Sequence, residues 1–268
     1  MNRIIPVILL LNLAACVNNP TEQPSSISAD TINAEVKHPA YHSTDTCYTI
    51  TSADTILLDK YILYFENADS ISFPPYHDNN PATDSLWESY GTPADSLEKA
   101  AILKYANIVS ATDSAIWVKL LNGKTLKLNR HGNTIDDSWC YFEAYLEKAN
   151  CVLIHLYYIE GDEYILINRE NGFAASIYGK PYFAPDNKSF ITINMDIAAG
   201  FSFNGMEYYI IEADTFGKMF ELPLNGCGPV QANWLRDNTV IIETYCEDFS
   251  VDSFRHWTDY LKLTIINN

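Results

Sequence analysis

The residues with the greatest potential for chemistry are six histidines and 34 acidic residues, because imidazoles and carboxylates bind metals and transfer protons. Their spacing does not form a recognisable site. His38 and His42 would share one face only in a helix, and Pro39 lies between them in a polar stretch. Three further histidines lie in turn-like or polar contexts without a second ligand at metal spacing, and we interpret them as surface residues: His77, His131 and His256.

Carboxylates cluster in three places, at Asp136–Asp137, at Glu160, Asp162 and Glu163, and over residues 78–84. The paired acids of glycosidases face one another across a cleft several ångströms wide, whereas neighbours on a turn face water. The segment 78–84 lacks the regular alternation and the glycine of a calcium loop. We therefore predict no catalytic carboxylate, no metal site and no cofactor.

His155 lies within Cys151–Tyr157, a run that reads as a strand apolar on both faces. A histidine there is predicted to be buried and hydrogen-bonded. The sequence has no Gly-x-Ser-x-Gly, no phosphate-binding Gly-x-x-x-x-Gly-Lys, no His-Glu-x-x-His and no Cys-x-x-Cys. Without such motifs the sequence gives no positive reason to propose an enzyme, and we therefore favour a non-catalytic protein.

The N-terminus has the three-part layout of an export signal: Arg3 supplies a positive charge, residues 4–13 are apolar, and Ala14 and Ala15 are small. About ten apolar residues are too few to span a bilayer as a helix, which needs roughly 20. Residues 13–16, Leu-Ala-Ala-Cys, resemble the bacterial lipobox, in which the signal is cut before the cysteine and lipid is attached to it. We predict that residues 1–15 are a signal peptide and that Cys16 carries the lipid; the alternative is an ordinary signal with a coincidental cysteine.

This reading places the protein in the bacterial cell envelope, held through lipid on Cys16 and most consistent with the outer membrane, on either its periplasmic or its surface side. Of the 17 basic residues only Arg3 is lost with the signal, so 16 basic and 34 acidic residues leave a formal charge of −18. A surface of this charge repels nucleic acids. Because 47% of residues are hydrophobic, the acidity does not indicate disorder.

The predicted export carries the other five cysteines into an oxidising compartment, where disulfides form. Because five is an odd number, at least one cysteine is unpaired within a monomer. A hairpin at 148–150 would place Cys140 and Cys151 on the order of 20 Å apart along the strands, too far for a disulfide. A hairpin at 236–238 sets Cys246 opposite Gly228, one residue from Cys227. We predict a Cys227–Cys246 bridge if the strand is irregular there, because a one-residue offset otherwise turns the two side chains to opposite faces.

Residues 16–40 are polar and Pro-containing, which predicts a flexible tether. Residues 41–268 are predicted to form a β domain, with a helical insertion at about 84–109 that comprises helices 84–90 and 93–109. Asn122–Gly123 indicates a tight hairpin, and short turn-rich links join most strands, which predicts an antiparallel meander. The predicted strands cover residues 47–50, 55–65, 116–121, 124–128, 139–146, 151–159, 163–168, 189–194, 207–212, 218–222, 230–235, 239–246 and 260–266.

Residues 179–191, Gly-Lys-Pro-Tyr-Phe-Ala-Pro-Asp-Asn-Lys-Ser-Phe-Ile, resemble the blade repeat of TolB-type and WD40-like β-propellers, with Ala184 and Asn187 in place of the usual Ser and Gly. Residues 234–238, Trp-Leu-Arg-Asp-Asn, form a fainter copy 51 residues later, close to the repeat length of propellers. The resemblance implies a mainly β, propeller-like fold, either an incomplete propeller or a curled antiparallel sheet. The region from about Lys124 is also similar to uncharacterised lipoproteins of Bacteroidetes-type bacteria, which implies a compartment and no activity.

Two functions remain open. The first is a non-catalytic scaffold or binding module for another envelope protein, since rigid β bodies present variable loops well. The second is a glycan-binding protein or carbohydrate-active enzyme, because 13% of residues are aromatic and aromatic rings stack on sugars. Two or more exposed aromatics that line one cleft with facing carboxylates would favour sugar, whereas a flat hydrophobic patch would favour a protein partner.

Replacing Cys16 with Ser tests the lipid anchor. We expect the Cys16→Ser protein to leave the membrane fraction, because stable anchoring by acyl chains requires the modified cysteine. Fractionation by ultracentrifugation measures this, and tight sedimentation of the variant with membranes would contradict the lipoprotein reading.

Overall fold

The computed structural model describes residues 31–33, 47–70, 93–130, 139–158, 161–197, 200–213, 215–248 and 255–268. Its elements are β1 (Thr31–Asn33), β2 (Thr55–Leu57), β3 (Tyr61–Asn67), α1 (Pro93–Lys104), β4 (Val109–Ala111), β5 (Ala115–Lys119), β6 (Thr125–Asn129), β7 (Trp139–Leu146), β8 (Cys151–Tyr158), β9 (Gly161–Asn168), β10 (Ala174–Ile177), β11 (Pro181–Phe183), β12 (Ser189–Asn194), β13 (Gly205–Ile211), β14 (Phe216–Pro223), β15 (Cys227–Arg236), β16 (Thr239–Asp248) and β17 (Arg255–Asn267), with a 3-10 turn at Glu147–Ala149. Several predicted features lie outside the described residues: the signal, Cys16, the helix at 84–90, the carboxylates at 78–84 and 136–137, and His38, His42, His77 and His131.

The strands of the described residues form four sheets, most of whose strands follow in chain order. The first has the order β1-β6-β5-β4, the second β10-β9-β8-β7, the third β11-β12-β13-β14, and the fourth β15-β16-β17-β3-β2. Neighbours within a sheet are antiparallel, except that β1 runs parallel to β6. The fold is therefore mainly β, an antiparallel propeller-like arrangement that is not a closed barrel, as the sequence predicts.

Three apolar cores hold the sheets face to face. The first and second sheets share a core that includes Val118 and Ile154, the second and third share one around Leu153 and Phe190, and the third and fourth share one around Leu222. Odd and even positions of β8 point to different cores, which explains why its sequence is apolar throughout. Each sheet thus behaves as one blade of a stack.

The early strands β2 and β3 join the C-terminal strand β17 in the fourth sheet. Strand β3 pairs along its length with β17, from Leu261 opposite Asn67 to Asn267 opposite Tyr61. Pairing between segments so distant in sequence places the early chain and the C-terminus in one sheet, which only the tertiary fold could establish.

The predicted tether is not irregular throughout. Thr31–Asn33 form β1, which pairs with residues 125–127 of β6. An edge strand offers unpaired backbone donors and acceptors to any extended segment that reaches it, which accounts for a short strand in a polar region.

No helix in the described part of the chain is long and apolar enough to cross a bilayer.

Most predicted strands differ at their ends by a few residues, and residues 47–50, predicted as a strand, form only an isolated bridge between Tyr48 and Leu224. Two further predicted elements differ more. The strand predicted at 55–65 is a hairpin, with β2 and β3 joined around Asp59, where Leu58 and Tyr61 exchange backbone hydrogen bonds. The helix predicted to reach Val109 ends at Lys104, because Val109 is buried in β4 opposite Val118. In both cases pairing with a neighbouring strand overrides the local pattern.

The propeller-like turn forms as its residues predict. Pro181–Phe183 and Ser189–Asn194 flank it as antiparallel strands, and Asn187 has a φ of 55°, the left-handed conformation that Asn tolerates. The two copies of the motif also touch: the Asp186 N–H donates to Asp237 Oδ1 at 3.1 Å, and Trp234 Nε1 donates to the Tyr182 carbonyl at 2.8 Å. Equivalent turns of the third and fourth sheets are thereby joined.

Cys227 and Cys246 form a disulfide between directly opposite positions of β15 and β16. Simple counting from the hairpin places Gly228 opposite Cys246, but Val230 is the extra residue of a β-bulge. The bulge shifts the register by one residue and turns Cys227 to the same face as its partner.

Helix α1 is held to the β body by a buried ion pair. Arg130 donates to Glu98 Oε2 at 2.9 Å, and the Phe142 N–H donates to Glu98 Oε1 at 2.8 Å. Arg130 also donates to the carbonyls of Thr112 and Cys140. One carboxylate and one guanidinium therefore connect the helix with the first two sheets.

Removing the disulfide is expected to lower the free energy of unfolding. Because the bridge joins positions 19 residues apart, a Cys227→Ser/Cys246→Ser protein should lose roughly 3 kcal/mol in denaturant unfolding. Reduction of the denatured wild type should expose two further thiols. An unchanged midpoint together with an unchanged thiol count would contradict the bridge.

Removing the Glu98 carboxylate should destabilise the fold strongly, because it leaves Arg130 as a buried unpaired charge. We expect Glu98→Ala to lower the free energy of unfolding by about 3–5 kcal/mol. The control is Glu66→Ala, which breaks the more exposed Lys262–Glu66 pair and should change stability by less than about 1 kcal/mol. Equal losses in the two variants would contradict the special role of Glu98.

Candidate functional site

One end of the second sheet carries a surface of aromatic and ionisable side chains on the face that points toward the third sheet. Strand register produces two rows across the sheet. Trp139 lies opposite Tyr157, which lies opposite Asp162; Tyr141 lies opposite His155, which lies opposite Tyr164. We call this surface the aromatic–carboxylate patch and define it by Trp139, Tyr141, Glu143, His155, Tyr157, Asp162, Tyr164 and Lys180.

The patch begins where the apolar packing between the second and third sheets ends. Leu153 and Leu166 on the same face are buried against Phe190 of the third sheet. Four residues after Leu153 in β8, Tyr157 is 43% exposed, and its cross-strand neighbour Trp139 is 49% exposed. The same face therefore changes from core to solvent-accessible surface within one strand.

His155 fixes the centre of the patch. Its Nε2 donates to Asp162 Oδ2 at 2.6 Å, and its Nδ1 faces Glu143 Oε2 at 3.8 Å. The imidazole stacks on the Tyr164 ring, with centroids 4.2 Å apart and planes 12° apart, and it contacts the Tyr157 ring at 3.9 Å. As predicted, the histidine is buried and hydrogen-bonded, and it holds these neighbours in a fixed geometry.

A β-bulge in β7 and the connection between β10 and β11 bring two further charged residues, Glu143 and Lys180, into contact. Glu143 is the extra residue of a bulge between Phe142 and Ala144, a feature that commonly redirects side chains. Its Oε1 accepts a 2.5 Å hydrogen bond from Lys180 Nζ, and Lys180 also lies 5.9 Å from the centre of the Tyr164 ring. The patch thus contains two carboxylates, each with a cationic or imidazole partner.

Residues 178–180, which connect β10 to β11 and include Lys180, are held in place by the buried carboxylate of Glu207. The Tyr178 N–H donates to Glu207 Oε2 at 3.2 Å, and the carboxylate also accepts from the Thr192 and Tyr209 hydroxyls and from Lys218. Burial raises the pKa of the Glu207 carboxyl, while Lys218 and the hydrogen-bond donors oppose this rise. These donors satisfy a fully buried carboxylate, which is a structural role.

Position 179 of this connection between β10 and β11 requires glycine. A Cβ on Gly179 would lie 1.9 Å from the carbonyl oxygen of Ile193, so the chain crosses β12 at a distance that no other residue permits. This close crossing sets the position of Lys180 relative to the second sheet.

The tyrosines of the patch are hydrogen-bond donors at neutral pH. Burial raises the pKa of Tyr157 to about 12, and the carboxylates of Asp162 and Glu143 add to the shift. Burial and the same carboxylates also raise the pKa of Tyr164. Both hydroxyls therefore keep their protons, and neither is suited to act as a phenolate base.

Other residues considered in the sequence are placed apart from the patch. Glu163 accepts from the Ser176 hydroxyl, and His256 stacks on Tyr245 in the fourth sheet. Cys140 and Cys151 are buried and not bridged to each other; burial raises their thiol pKa values to about 11 and about 12, which suppresses thiolate chemistry. Asp162 was expected simply to face water, and its contact with His155 corrects that interpretation.

No group of three or more potential metal ligands occurs within the described ranges. A shallow depression of about 430 Å³ lies elsewhere, on the fourth sheet, and is lined by residues that include Asp54, Tyr64 and Glu66. It holds no cluster comparable with the patch.

Comparisons with protein-family models, with curated proteins and with solved structures found no match to this chain.

Sequence reasoning identified His155 but missed the patch around it. The alternation of Trp139, Tyr141 and Glu143 along one strand is a signal that could have been noticed, because such residues share a face. The partners of that face, Asp162 and Lys180, depend on pairing and on the crossing at Gly179. Those are properties of the tertiary structure.

Adding a methyl group to Gly179 should disturb the crossing. We expect Gly179→Ala to lower the free energy of unfolding by about 1–3 kcal/mol, as overpacking does. Gly161→Ala is the matched control, because its added Cβ would meet only Ser202 Cβ at 3.7 Å, an ordinary contact. Denaturant unfolding measures both, and an unaffected Gly179→Ala protein would show that the crossing tolerates a side chain.

Proposed function

We propose that this chain is a lipid-anchored envelope protein whose β body is a non-catalytic binding module, and that it binds its ligand through the aromatic–carboxylate patch. The signal layout and the lipobox at Cys16 support the anchor. The resemblance to lipoproteins of Bacteroidetes-type bacteria supports the outer membrane. The observation that carries the binding role is the grouping of exposed Trp139 and Tyr157 with Asp162 and Glu143 on one sheet, beside Lys180 from the connection between β10 and β11.

The geometry of His155 supports binding over catalysis. A general base needs an accessible nitrogen within hydrogen-bond reach of the proton that it removes. Here the Nε2 atom is occupied by Asp162, the Nδ1 atom faces Glu143, and the two ring faces contact Tyr157 and Tyr164. The histidine is thus suited to hold other side chains in position.

The surroundings of the patch also favour binding. All its residues except Lys180 lie on three adjacent strands of a sheet whose opposite face is buried in the core that contains Ile154 and Ile165. Side chains held by packing and hydrogen bonds lose little conformational freedom when a ligand binds. The blade-like stack, similar to propeller repeats, provides such a preorganised surface.

A photo-crosslinking amino acid at position 157 tests this proposal in the bacterium that makes the protein. A benzophenone side chain inserts into nearby C–H bonds of any class of ligand, so Tyr157 replacement should give discrete adducts of higher mass. The control is the same replacement at Trp257, which is also 43% exposed but lies in the fourth sheet. Equal adduct patterns at the two positions, or none at position 157, would contradict a binding role for the patch.

A further inference from the structure

We infer that the ligand of the aromatic–carboxylate patch is an uncharged glycan. This inference rests on the proposed function, because it names the ligand class of the same surface.

The aromatic side chains offer apolar contact at a surface that remains accessible to solvent. Trp139 and Tyr157 are neighbours on adjacent strands and are 49% and 43% exposed. Tyr141 packs edge-on against Tyr157, with centroids 5.8 Å apart and planes 81° apart. The C–H groups on one face of a sugar ring match an exposed aromatic ring, which combines an apolar body with a negative π face.

Each carboxylate of the patch already has a partner within it. Lys180 neutralises Glu143, and His155 is hydrogen-bonded to Asp162. A phosphate or uronic acid would meet both carboxylates and an acidic protein. A cationic ligand would have to displace Lys180 or His155 from the same carboxylates. An uncharged ligand avoids both costs.

The polar groups beside the rings suit hydroxyls in particular. The side chains of Asp162, Glu143 and Lys180 are 37%, 30% and 55% exposed, so each retains access to a ligand. Carboxylates accept several hydrogen bonds and an ammonium donates three, and the protonated Tyr157 hydroxyl is a further donor. Sugar hydroxyls both donate and accept. A protein interface, in contrast, has few charged residues at its centre, where this patch has three.

The experiment titrates the full chain, purified in mild detergent, with sugars of equal length and different charge. The neutral probes are maltohexaose, cellohexaose and mannohexaose, and the charged probe is hexagalacturonate. We expect saturable calorimetric binding of at least one neutral hexamer and none of the uronate. Preference for the uronate, or no binding of any neutral hexamer, would overturn the glycan inference.

Matched variants locate the binding. We expect Trp139→Ala and Tyr157→Ala each to weaken binding by about fivefold to tenfold, the range for loss of one aromatic contact. Tyr157→Phe should retain most of the affinity because the ring remains, and Trp257→Ala should bind as wild type. Equal weakening by Trp139→Ala and Trp257→Ala would overturn the inference, since it would place the sugar elsewhere.

The two proposals fail separately. If position 157 forms specific adducts in cells while no neutral hexamer binds and the patch variants are folded, the patch is a binding surface and its ligand is not a neutral glycan of this kind. If position 157 forms no specific adduct, the binding role itself is wrong. Circular dichroism of each variant establishes folding.

Discussion

Each of the two middle sheets buries both of its faces, and the other features of the fold depend on this constraint. In β8, Val152 and Ile154 enter one core while Leu153 enters another. Such a strand cannot lie at the surface of the stack without exposing one apolar row. The burial of both faces therefore fixes the order of the sheets. Polar residues inside the stack, such as Thr192 and Glu207, are hydrogen-bonded to one another.

The patch is a consequence of where that burial stops. Along one face of the second sheet, side chains pass from Leu153, which is buried, through His155, which is buried but polar, to Tyr157, which is exposed. A buried polar group is costly without a partner, so His155 requires Asp162. The arrangement that satisfies the histidine also positions carboxylates beside exposed rings. The contacts that satisfy the buried histidine thus also arrange the surface proposed to bind a ligand.

Two buried polar networks and one disulfide connect the parts of the stack. Glu98 and Arg130 connect the helix with the first two sheets, and Glu207 holds the crossing between the second and third. The Cys227–Cys246 bridge lies in the fourth sheet, which also joins the early chain to the C-terminus. The bridge joins residues 19 apart within the β15–β16 hairpin, so it restricts the unfolded chain only locally. The long-range pairing of β3 with β17 depends instead on the strand ladder and on the shared core.

Local features were determined by the sequence alone. Asn122–Gly123 gives the hairpin between β5 and β6, Asn187 adopts its left-handed turn, α1 begins at Pro93, and short links give antiparallel neighbours. These depend on interactions within a few residues, where side-chain type restricts the backbone directly. The pairing region of Cys227 and Cys246 also followed from the hairpin.

Register and assembly were decided only by the tertiary structure. The bulge at Val230 places Cys227 opposite Cys246, and the bulge at Glu143 directs its carboxylate toward Lys180. The pairing of β3 with β17 and the gathering of the patch likewise join residues far apart in sequence. A one-residue shift reverses every side chain of a strand, and the favourable shift depends on cores that exist only after the sheets have packed. Turns are therefore specified by residues that are neighbours in sequence, whereas the candidate site is specified by residues that only the packed sheets bring together.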